Sequence, residues 1–310
     1  MTSATYPNHA TFATGALPLD HGVVANWIVH EGRARPSYDL GPRTPTIFDA
    51  CRAAGRSSVA VLGDQHLVQI MGATGADRHW PPNGALPDDV ERDGHGYAAN
   101  REVLPRILDA LDGDRADLVV AHINEPDTEA HIYGPDSTEA MEAYRAADVC
   151  LAAIVDALRP TWDDTVLIVV SDHDQEEVDD DPIDLYEPVA QAGLPLIPIP
   201  EGSAAIVWGN DETNGAWLDA VDGVSGHHQV APGIRLVACT PRRWFNPPAG
   251  FMSGPSDRGT HGSERTRNQV AVVAGGHPSA TALALTLNER GTIDATEWAP
   301  AVARTLGVTL

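Results

Sequence analysis

Four short apolar runs rich in β-branched residues constrain the fold of this 310-residue chain more than any other feature. They lie at residues 57–64, 117–124, 165–172 and 269–275. Continuous apolar runs of this length are typical of strands that are buried on both faces of a sheet. Helical patterns lie between them, at residues 46–54, 100–111 and 137–158. The alternation predicts an α/β fold in which helices cover both faces of a mostly parallel central sheet.

Two regions without these patterns predict insertions over one end of the sheet. Residues 174–254 are rich in Pro, Gly and Asp, and residues 72–97 form a second looped region. We therefore expect a single domain over residues 1–310 with cap regions at 72–97 and 174–254. Loops that follow strands are where α/β sheets bind ligands, so specificity is expected to lie in these cap regions. Within the first cap region, Arg78, Trp80, Arg92 and His95 could line a pocket, but a solvated loop is the favoured interpretation.

The formal net charge of −24 limits the partners of this chain. All 20 basic residues are Arg, which fits either a GC-rich genome or adaptation of an acidic surface to high salt. Such a surface repels nucleic-acid phosphates and anionic membranes, which argues against binding of duplex nucleic acid. A small phosphorylated substrate is still compatible with it, because bound metal ions reverse the sign of the charge inside a cleft.

Neither a transmembrane helix nor a signal peptide is visible. No run approaches the roughly 18 apolar residues of a membrane span, and no basic segment precedes an apolar one at the start. Cys51, Cys150 and Cys239 are far apart, which predicts buried thiols in a reducing compartment and not a disulfide frame or a zinc knuckle. We therefore expect a cytoplasmic protein without a membrane span.

Four separated segments combine Asp and His at predicted strand ends or helix starts, namely residues 5–26, 124–131, 171–174 and 259–263. Imidazole and carboxylate together suit zinc, with manganese or iron as less suitable ions. Asp127 and His131 are four residues apart, so one helical turn would place both on one face. Asp172 and His173 are adjacent at a strand end, and a glycine follows His261. Two such ions about 4 Å apart would clamp a phosphoryl group.

Each segment by itself also has a structural explanation. A carboxylate four residues before a histidine is commonly a surface pair, and an Asp-His dipeptide after a strand is commonly a turn. Thr5, two residues before a proline, would ordinarily be an N-terminal helix cap. Only the occurrence of all four segments in this order favours a metal site.

The segments resemble the motifs of the type I phosphodiesterase/nucleotide pyrophosphatase family, within the alkaline phosphatase superfamily. Residues 5–26, TYPNHATFATGALPLDHGVVAN, resemble the nucleophile region of that family. Residues 125–137, EPDTEAHIYGPDS, resemble a metal motif in which Ala130 replaces the usual glycine. The SDH at 171–173 and the GTHG at 259–262 match the remaining metal motifs. The resemblance implies an alkaline-phosphatase-like fold.

The resemblance also implies catalytic roles for three residues. Thr5 would be the nucleophile that forms a phosphothreonine intermediate. Asn26 would hold a non-bridging phosphoryl oxygen. Tyr6 would bind the substrate by contacting a base or another leaving group.

Two divalent metal ions, best matched by Zn²⁺, are implied as cofactors. The first ion would be bound by Asp127, His131 and His261, and the second by Asp172, His173 and Thr5. His9 and His21 are expected to be structural and not ligating.

The family pattern also begins with a strand that ends in an Asp-Gly pair, whose Asp completes the second metal site. No such strand precedes Thr5, so we expect the N-terminal strand to be missing and the second site to be impaired. Three explanations stay open: a wrongly assigned start, a genuine truncation, or substitution by another acid such as Asp174 or Asp20.

Three functions are compatible with these residues. The leading interpretation is hydrolysis of a phosphodiester or pyrophosphate bond in a small phosphorylated substrate such as a nucleotide. One alternative is a phosphomonoesterase or phosphonoacetate-hydrolase-like enzyme of the same superfamily. Another is a truncated, non-catalytic homologue that binds metal or nucleotide. A sulfatase is disfavoured, because TYPNH lacks the Cys or Ser that sulfatases convert to formylglycine.

Overall fold

The structure, a computed structural model, describes residues 2–113, 115–210, 215–246 and 257–310. Its α-helices are α1 (Thr5–Thr14), α2 (Pro18–His21), α3 (Ile47–Ala53), α4 (Leu67–Ile70), α5 (Asn100–Leu111), α6 (Glu125–Tyr133), α7 (Thr138–Leu158), α8 (Tyr186–Ala192), α9 (Pro278–Arg290) and α10 (Trp298–Leu306). Its strands are β1 (Trp27–His30), β2 (Arg33–Pro36), β3 (Ser58–Leu62), β4 (Arg78–Trp80), β5 (Leu118–His122), β6 (Leu167–Val170), β7 (Glu176–Glu177), β8 (Pro182–Ile183), β9 (Ile197–Glu201), β10 (Ala204–Trp208), β11 (Val224–Ala231), β12 (Ile234–Cys239), β13 (Trp244–Phe245), β14 (Gly259–Thr260) and β15 (Ala271–Ala274).

The parallel sheet is centred on β3, which forms within the first predicted apolar run. All five residues of β3 are buried, and β3 pairs in parallel with β4 on one side and with β5 on the other. Side chains of β3 alternate between two cores. Ala60 and Leu62 pack with α1, α3, α4 and α10, whereas Val59 and Val61 pack with α5. Helices therefore cover both faces of this sheet, as the sequence predicts.

The strands β6 and β15 form a separate antiparallel pair, with Leu167 opposite Ala274 and Val170 opposite Ala271. The runs at 165–172 and 269–275 are therefore strands as predicted, but they do not extend the parallel sheet through the described hydrogen bonds. An apolar run indicates that a strand is buried and not in which direction it pairs, because side chains alternate with the same period in both ladders.

The predicted helices are present, and capping residues explain where they begin. Thr46 and Asp49 form a capping box at the start of α3. The Ser137 side chain accepts the N–H of Ala140 at the start of α7. Such caps satisfy N–H groups that have no partner within the helix. Over the described parts of the chain, no helix is both long enough and apolar enough to cross a membrane.

The two predicted cap regions contain ordered structure of their own. Region 72–97 contributes β4, so part of it belongs to the parallel sheet. Region 174–254 contains a four-stranded antiparallel sheet in the order β11–β12–β10–β9, and the buried residues of a third hydrophobic core all lie there. Residues 211–214 and 247–254 of that region lie outside the described residues. The single domain and its cap boundaries stay predictions.

The ends of two strands lead directly into the candidate site. β5 is followed by α6, which carries Asp127 and His131, and β6 ends just before Asp172 and His173. α1 begins at Thr5 and packs against α2, α4 and α10. The central elements of the fold therefore converge on the residues that the motifs select.

Candidate metal and phosphoryl site

Thr5 is the first residue of the ten-residue helix α1. The preceding residue, Ala4, has no side-chain group to cap the first N–H groups of this helix. A helix start of this kind attracts anions, because its N–H groups and the helix dipole both present positive charge. Oγ1 of Thr5 lies 3.2 Å from Nε2 of His173. The hydroxyl therefore lies beside a histidine at a helix N-terminus, which is a position that favours binding of an anion.

Asn26 is bonded to the same helix start. Its Oδ1 accepts the N–H of Tyr6 at 3.0 Å, and its carbonyl oxygen accepts the N–H and the hydroxyl of Ser37 at 2.9 and 3.0 Å. A backbone N–H can only donate, so the amide oxygen of Asn26 must face Tyr6 and Nδ2 is left as the donor. The structure thus brings Asn26 next to Thr5, as the motif implies.

Asp127, His131 and His261 form the one group in the described residues whose three ligand atoms all lie within 4.8 Å of one another. Asp127 Oδ1 lies 3.4 Å from His131 Nε2, one helical turn along α6. His261 directly follows β14, and its ring lies 5.0 Å from that of His131. The structure therefore brings together the three residues that the sequence predicts as a metal triad, and their assignment as ligands stays a prediction.

Backbone carbonyls orient the imidazoles of the site. Nδ1 of His131 bonds to the carbonyl oxygen of Gly259 at 2.9 Å, and Nδ1 of His261 to that of Ser3 at 3.0 Å. A carbonyl oxygen can only accept, so each Nδ1 carries the proton and each Nε2 lone pair is available for a metal ion. Outer hydrogen bonds of this kind are typical of histidines that ligate metals.

The electrostatics of the triad also fit a cation. Desolvation alone would raise the pKa of Asp127, but the surrounding imidazoles outweigh it and hold this pKa below its usual range. Burial, and then the proximity of His173 and His131, lowers the pKa of His261 well below its usual value. The triad therefore combines the ionised carboxylate of Asp127 with the neutral imidazole of His261, which are the states that metal binding requires.

The second predicted group is looser. His173 Nε2 lies 3.3 Å from Asp172 Oδ2 and 3.9 Å from Asp127 Oδ1. Nδ1 of His173 bonds to the carbonyl oxygen of Asp174 at 3.2 Å, so it is oriented like the triad histidines. The structure gathers Asp172, His173 and Thr5 in one place, while their assignment as ligands stays a prediction.

The remaining predicted residues differ in their surroundings. Both ring nitrogens of His21 bond within the protein, to Thr11 Oγ1 at 3.0 Å and to the N–H of Val23 at 3.1 Å, which supports a structural role. His9 bonds to the carbonyl of Thr5 at 2.9 Å. Its Nδ1 also lies 3.5 Å from Asp172 Oδ2, close to the second group.

The substrate contact of Tyr6 stays a prediction. Its side chain belongs to a hydrophobic core and the residue is only 5% exposed. The ring packs edge-on against the stacked rings of Tyr38 and His66. Asp174 and Asp20, which the sequence offers as replacements for the missing acid, are both exposed.

Two neighbours of the triad were missed by sequence reasoning. Gln175 donates from Nε2 to the carbonyl oxygen and to Oδ1 of Asp127 at 3.1 and 2.5 Å. The half-buried ring of His95 lies 5.3 Å from that of His131, a position beside the triad that the sequence did not single out. The signal for His95 was its Asp-Gly-His-Gly context, which allows a close turn.

Asp93 fastens the loop of His95 to α6. Its Oδ1 accepts the N–H groups of His95 and Tyr97 at 2.9 and 3.0 Å, and its Oδ2 accepts bonds from Asn124 and Thr128, both at 2.8 Å. Residue 94 is a glycine where a side chain would overlap Ile132 of α6. The hydrogen bonds of Asp93 therefore hold the loop that places His95 beside the triad.

Comparison with known proteins identifies the family. The family model for type I phosphodiesterase / nucleotide pyrophosphatase matches residues 1–234. The chain belongs to this family. A venom phosphodiesterase of Macrovipera lebetinus is 30% identical over 186 residues, which are 56% of this chain and 20% of the venom protein. Ectonucleotide pyrophosphatase/phosphodiesterase family member 1 of Mus musculus is 25% identical over 183 residues, which are 56% of this chain and 19% of the mouse protein. The matched part is thus about a fifth of these relatives' length.

Several solved structures share the fold. Human ectonucleotide pyrophosphatase / phosphodiesterase 5 aligns with a TM-score of 0.70 and 16% identity, covering 99% of this chain and 84% of that chain. An inactive murine form in complex with AMP aligns with a TM-score of 0.69 and 17% identity, over the same shares. Phosphonoacetate hydrolase from Sinorhizobium meliloti 1021 aligns with a TM-score of 0.60 and 18% identity, covering 87% and 78%. The predicted alkaline-phosphatase-like α/β fold is therefore confirmed.

Proposed function

We propose that this family member is a metal-dependent hydrolase of phosphodiester or pyrophosphate bonds, with Thr5 as its nucleophile. The observation that carries the proposal is the 3.2 Å distance between Thr5 Oγ1 and His173 Nε2, at the start of α1. A threonine hydroxyl is a weak nucleophile unless a neighbouring group activates it. The carboxylate and imidazole groups beside Thr5 are of the type that binds an activating metal ion.

The donor set fits two divalent ions, with Zn²⁺ as the best match. Asp127, His131 and His261 would hold one ion. Asp172 and His173, together with Thr5, would hold the other. Bound ions of this kind lower the pKa of an oxygen nucleophile and neutralise the charge of a phosphoryl group.

Thr5, Asn26 and the N-terminus of α1 would each have a separate role in the reaction. Oγ1 of Thr5 attacks phosphorus in line, a phosphothreonine forms, and the bond to the leaving group breaks. Water then cleaves the phosphothreonine and restores the hydroxyl. Nδ2 of Asn26 donates to a non-bridging oxygen, where charge increases in the transition state. The N-terminus of α1 favours the same negative charge.

We expect the substrate to be a small phosphorylated molecule such as a nucleotide. The family description and the AMP-bound murine relative support this expectation. A net charge of −24 disfavours duplex nucleic acid as a partner. Tyr6 would then contribute to substrate binding through its place beside Thr5.

A comparison of two chromogenic substrates tests the proposal. Zinc-supplemented protein is assayed with bis-p-nitrophenyl phosphate, a diester, and p-nitrophenyl phosphate, the matching monoester. The proposal is supported if the protein hydrolyses the diester faster than the monoester. This turnover should disappear in Thr5→Ala and persist in Thr305→Ala. Thr305 is the matched control, because it lies in α10 and bonds only the helix carbonyl of Ala301 in the described contacts.

The other outcomes select other functions. Preference for the monoester would assign the protein to the phosphomonoesterases. Cleavage of phosphonoacetate alone would make it a phosphonate hydrolase. Zinc binding without turnover of any of these compounds would contradict the proposal and favour a non-catalytic binding protein.

A further inference from the structure

Glu201 is a buried acid that the site described above does not explain. It is the last residue of β9, within the predicted cap region 174–254, and is 6% exposed. Its Oε1 accepts the N–H of Trp27, the residue that follows Asn26, at 3.3 Å. Its Oε2 has no hydrogen-bond partner among the described residues. A strand of the insertion therefore reaches the segment that carries Asn26.

Hydrogen bonds hold Asn26 and the residue that follows it. Tyr6 donates to the side-chain oxygen of Asn26, Ser37 donates to its backbone carbonyl, and Glu201 accepts the N–H of Trp27. These contacts come from three different parts of the chain. They fix both the backbone and the side-chain rotation of Asn26, and so determine where Nδ2 points.

The segment after Glu201 also supports the metal triad. The N–H of Ser203 donates to the carbonyl oxygen of His261 at 2.8 Å. Gly262 lies so close to the backbone carbonyl of Glu201 that a side chain at position 262 would overlap it. Residues 201–203 thus touch the loop of His261 and the loop of Asn26 together.

We propose that Glu201 is a positioning residue that directs Nδ2 of Asn26 toward the phosphoryl group, so that the insertion sets the geometry of the site. The inference rests on the proposed function, because it assumes that Asn26 binds a phosphoryl oxygen. Burial of an acid is unfavourable for stability unless the acid is hydrogen-bonded, and the bond that Glu201 makes is to the segment that carries Asn26. Burial raises the pKa of Glu201 to about 8, so at neutral pH the group is mainly an uncharged acceptor.

Two substitutions separate positioning from packing. Glu201→Gln keeps an oxygen acceptor of the same shape, whereas Glu201→Met keeps the approximate volume and removes the acceptor. We expect Glu201→Met to lower kcat for the diester by roughly 10- to 100-fold, part of the effect of losing an oxyanion donor. Glu201→Gln should restore most of this activity, and zinc affinity should be the same in both variants. Ile199→Met, two residues earlier in β9 and also buried, controls for disturbance of the strand.

A double-mutant cycle with Asn26→Ala decides whether Glu201 acts through Asn26. In the Asn26→Ala background, Glu201→Met should have no further effect on kcat. The inference would be overturned if Glu201→Met lowered kcat equally in the wild-type and the Asn26→Ala backgrounds. It would also be overturned if Glu201→Gln lowered kcat as much as Glu201→Met, or if zinc affinity fell together with kcat.

Binding of inorganic phosphate keeps this test separate from the proposed function. If the wild-type protein turns over no phosphate ester, the proposed function fails, and calorimetric titration of the zinc-loaded protein with phosphate decides the inference alone. Weaker phosphate binding in both Glu201→Met and Asn26→Ala, with binding retained in Ile199→Met, would support it. Unchanged binding in Glu201→Met, or no phosphate binding by the wild type, would overturn it.

Discussion

Nδ1 of His261 donates to the carbonyl oxygen of Ser3 at 3.0 Å, although 258 residues separate the two in sequence. Ser3 also donates its N–H to Gly262 at 3.0 Å and its hydroxyl to the carbonyl oxygen of Ser263 at 2.8 Å. The segment before Thr5 and the loop of His261 therefore form one unit. These hydrogen bonds fix the distance between the candidate nucleophile, Thr5, and His261 of the candidate metal triad.

Asp127→Asn should weaken zinc binding strongly. The substitution removes the only negative charge of the metal triad and keeps the shape of the side chain. Loss of an outer-shell partner typically lowers metal affinity by about 10- to 100-fold, so loss of a charged ligand should exceed this. Competition with a chromophoric chelator measures the affinity. Glu129→Gln, two residues along α6, should leave it unchanged, and equal affinities in both variants would argue against the triad.

Gly259→Ala should destabilise the protein and weaken zinc binding together. A side chain at position 259 would overlap the backbone carbonyl oxygen of Ala130, and the carbonyl of Gly259 orients His131. We expect a loss of about 1–3 kcal/mol in the free energy of unfolding, as for other overpacked sites. Urea denaturation checks this. Gly226→Ala is the matched control, because a methyl group there meets no atom within 4 Å.

Asp93→Ala should release the loop of His95 from α6. Asp93 accepts bonds from two side chains and two backbone N–H groups, so its removal leaves several donors without partners. Hydrogen bonds to charged groups contribute about 1.5–3 kcal/mol each, and we expect a total loss of at least that size. Chemical denaturation measures it. Asp89→Ala, at an exposed position of the same region, should change stability by less than about 0.5 kcal/mol.

Asp64 should make stability depend on pH in a direction opposite to that of most acids. Burial raises its pKa from 3.8 to about 7, although bonds from His66 and Tyr6 oppose the shift. An acid whose pKa is raised in the folded state stabilises fully below its unfolded pKa, and this contribution is lost as pH rises to the folded pKa. Between pH 4 and pH 7, the free energy of unfolding of Asp64→Asn should therefore rise relative to wild type by on the order of 4 kcal/mol.

Urea denaturation of both proteins at several pH values between 4 and 7 measures this difference. Asp89→Asn, whose carboxylate is exposed, should give a curve parallel to that of wild type. A parallel curve for Asp64→Asn as well would show that the carboxyl of Asp64 titrates normally.

Much of the candidate site could be predicted because its residues lie in local motifs. Asp127 and His131 are one helical turn apart, so their common face follows from helix geometry alone. For Thr5, the proline two residues later indicated an N-terminal cap, whereas Thr5 is the first residue of α1 and Ala4 is the cap position. Sequence reasoning failed where the deciding contact is remote. Nothing near His95 in sequence reveals that Asp93 bonds Asn124 and Thr128 of another element.

By itself the sequence determined the strands β3, β5, β6 and β15 and the helices α3, α5 and α7, because hydrophobic periodicity and capping residues act over a few positions. It also determined the family and the chemical type of the site, through donor residues at set spacings. Only the tertiary structure decided that β15 pairs antiparallel to β6 and that Glu201 bonds Trp27, beside Asn26. Strand pairing and such long-range hydrogen bonds depend on how distant segments pack, and the same local pattern is compatible with several arrangements.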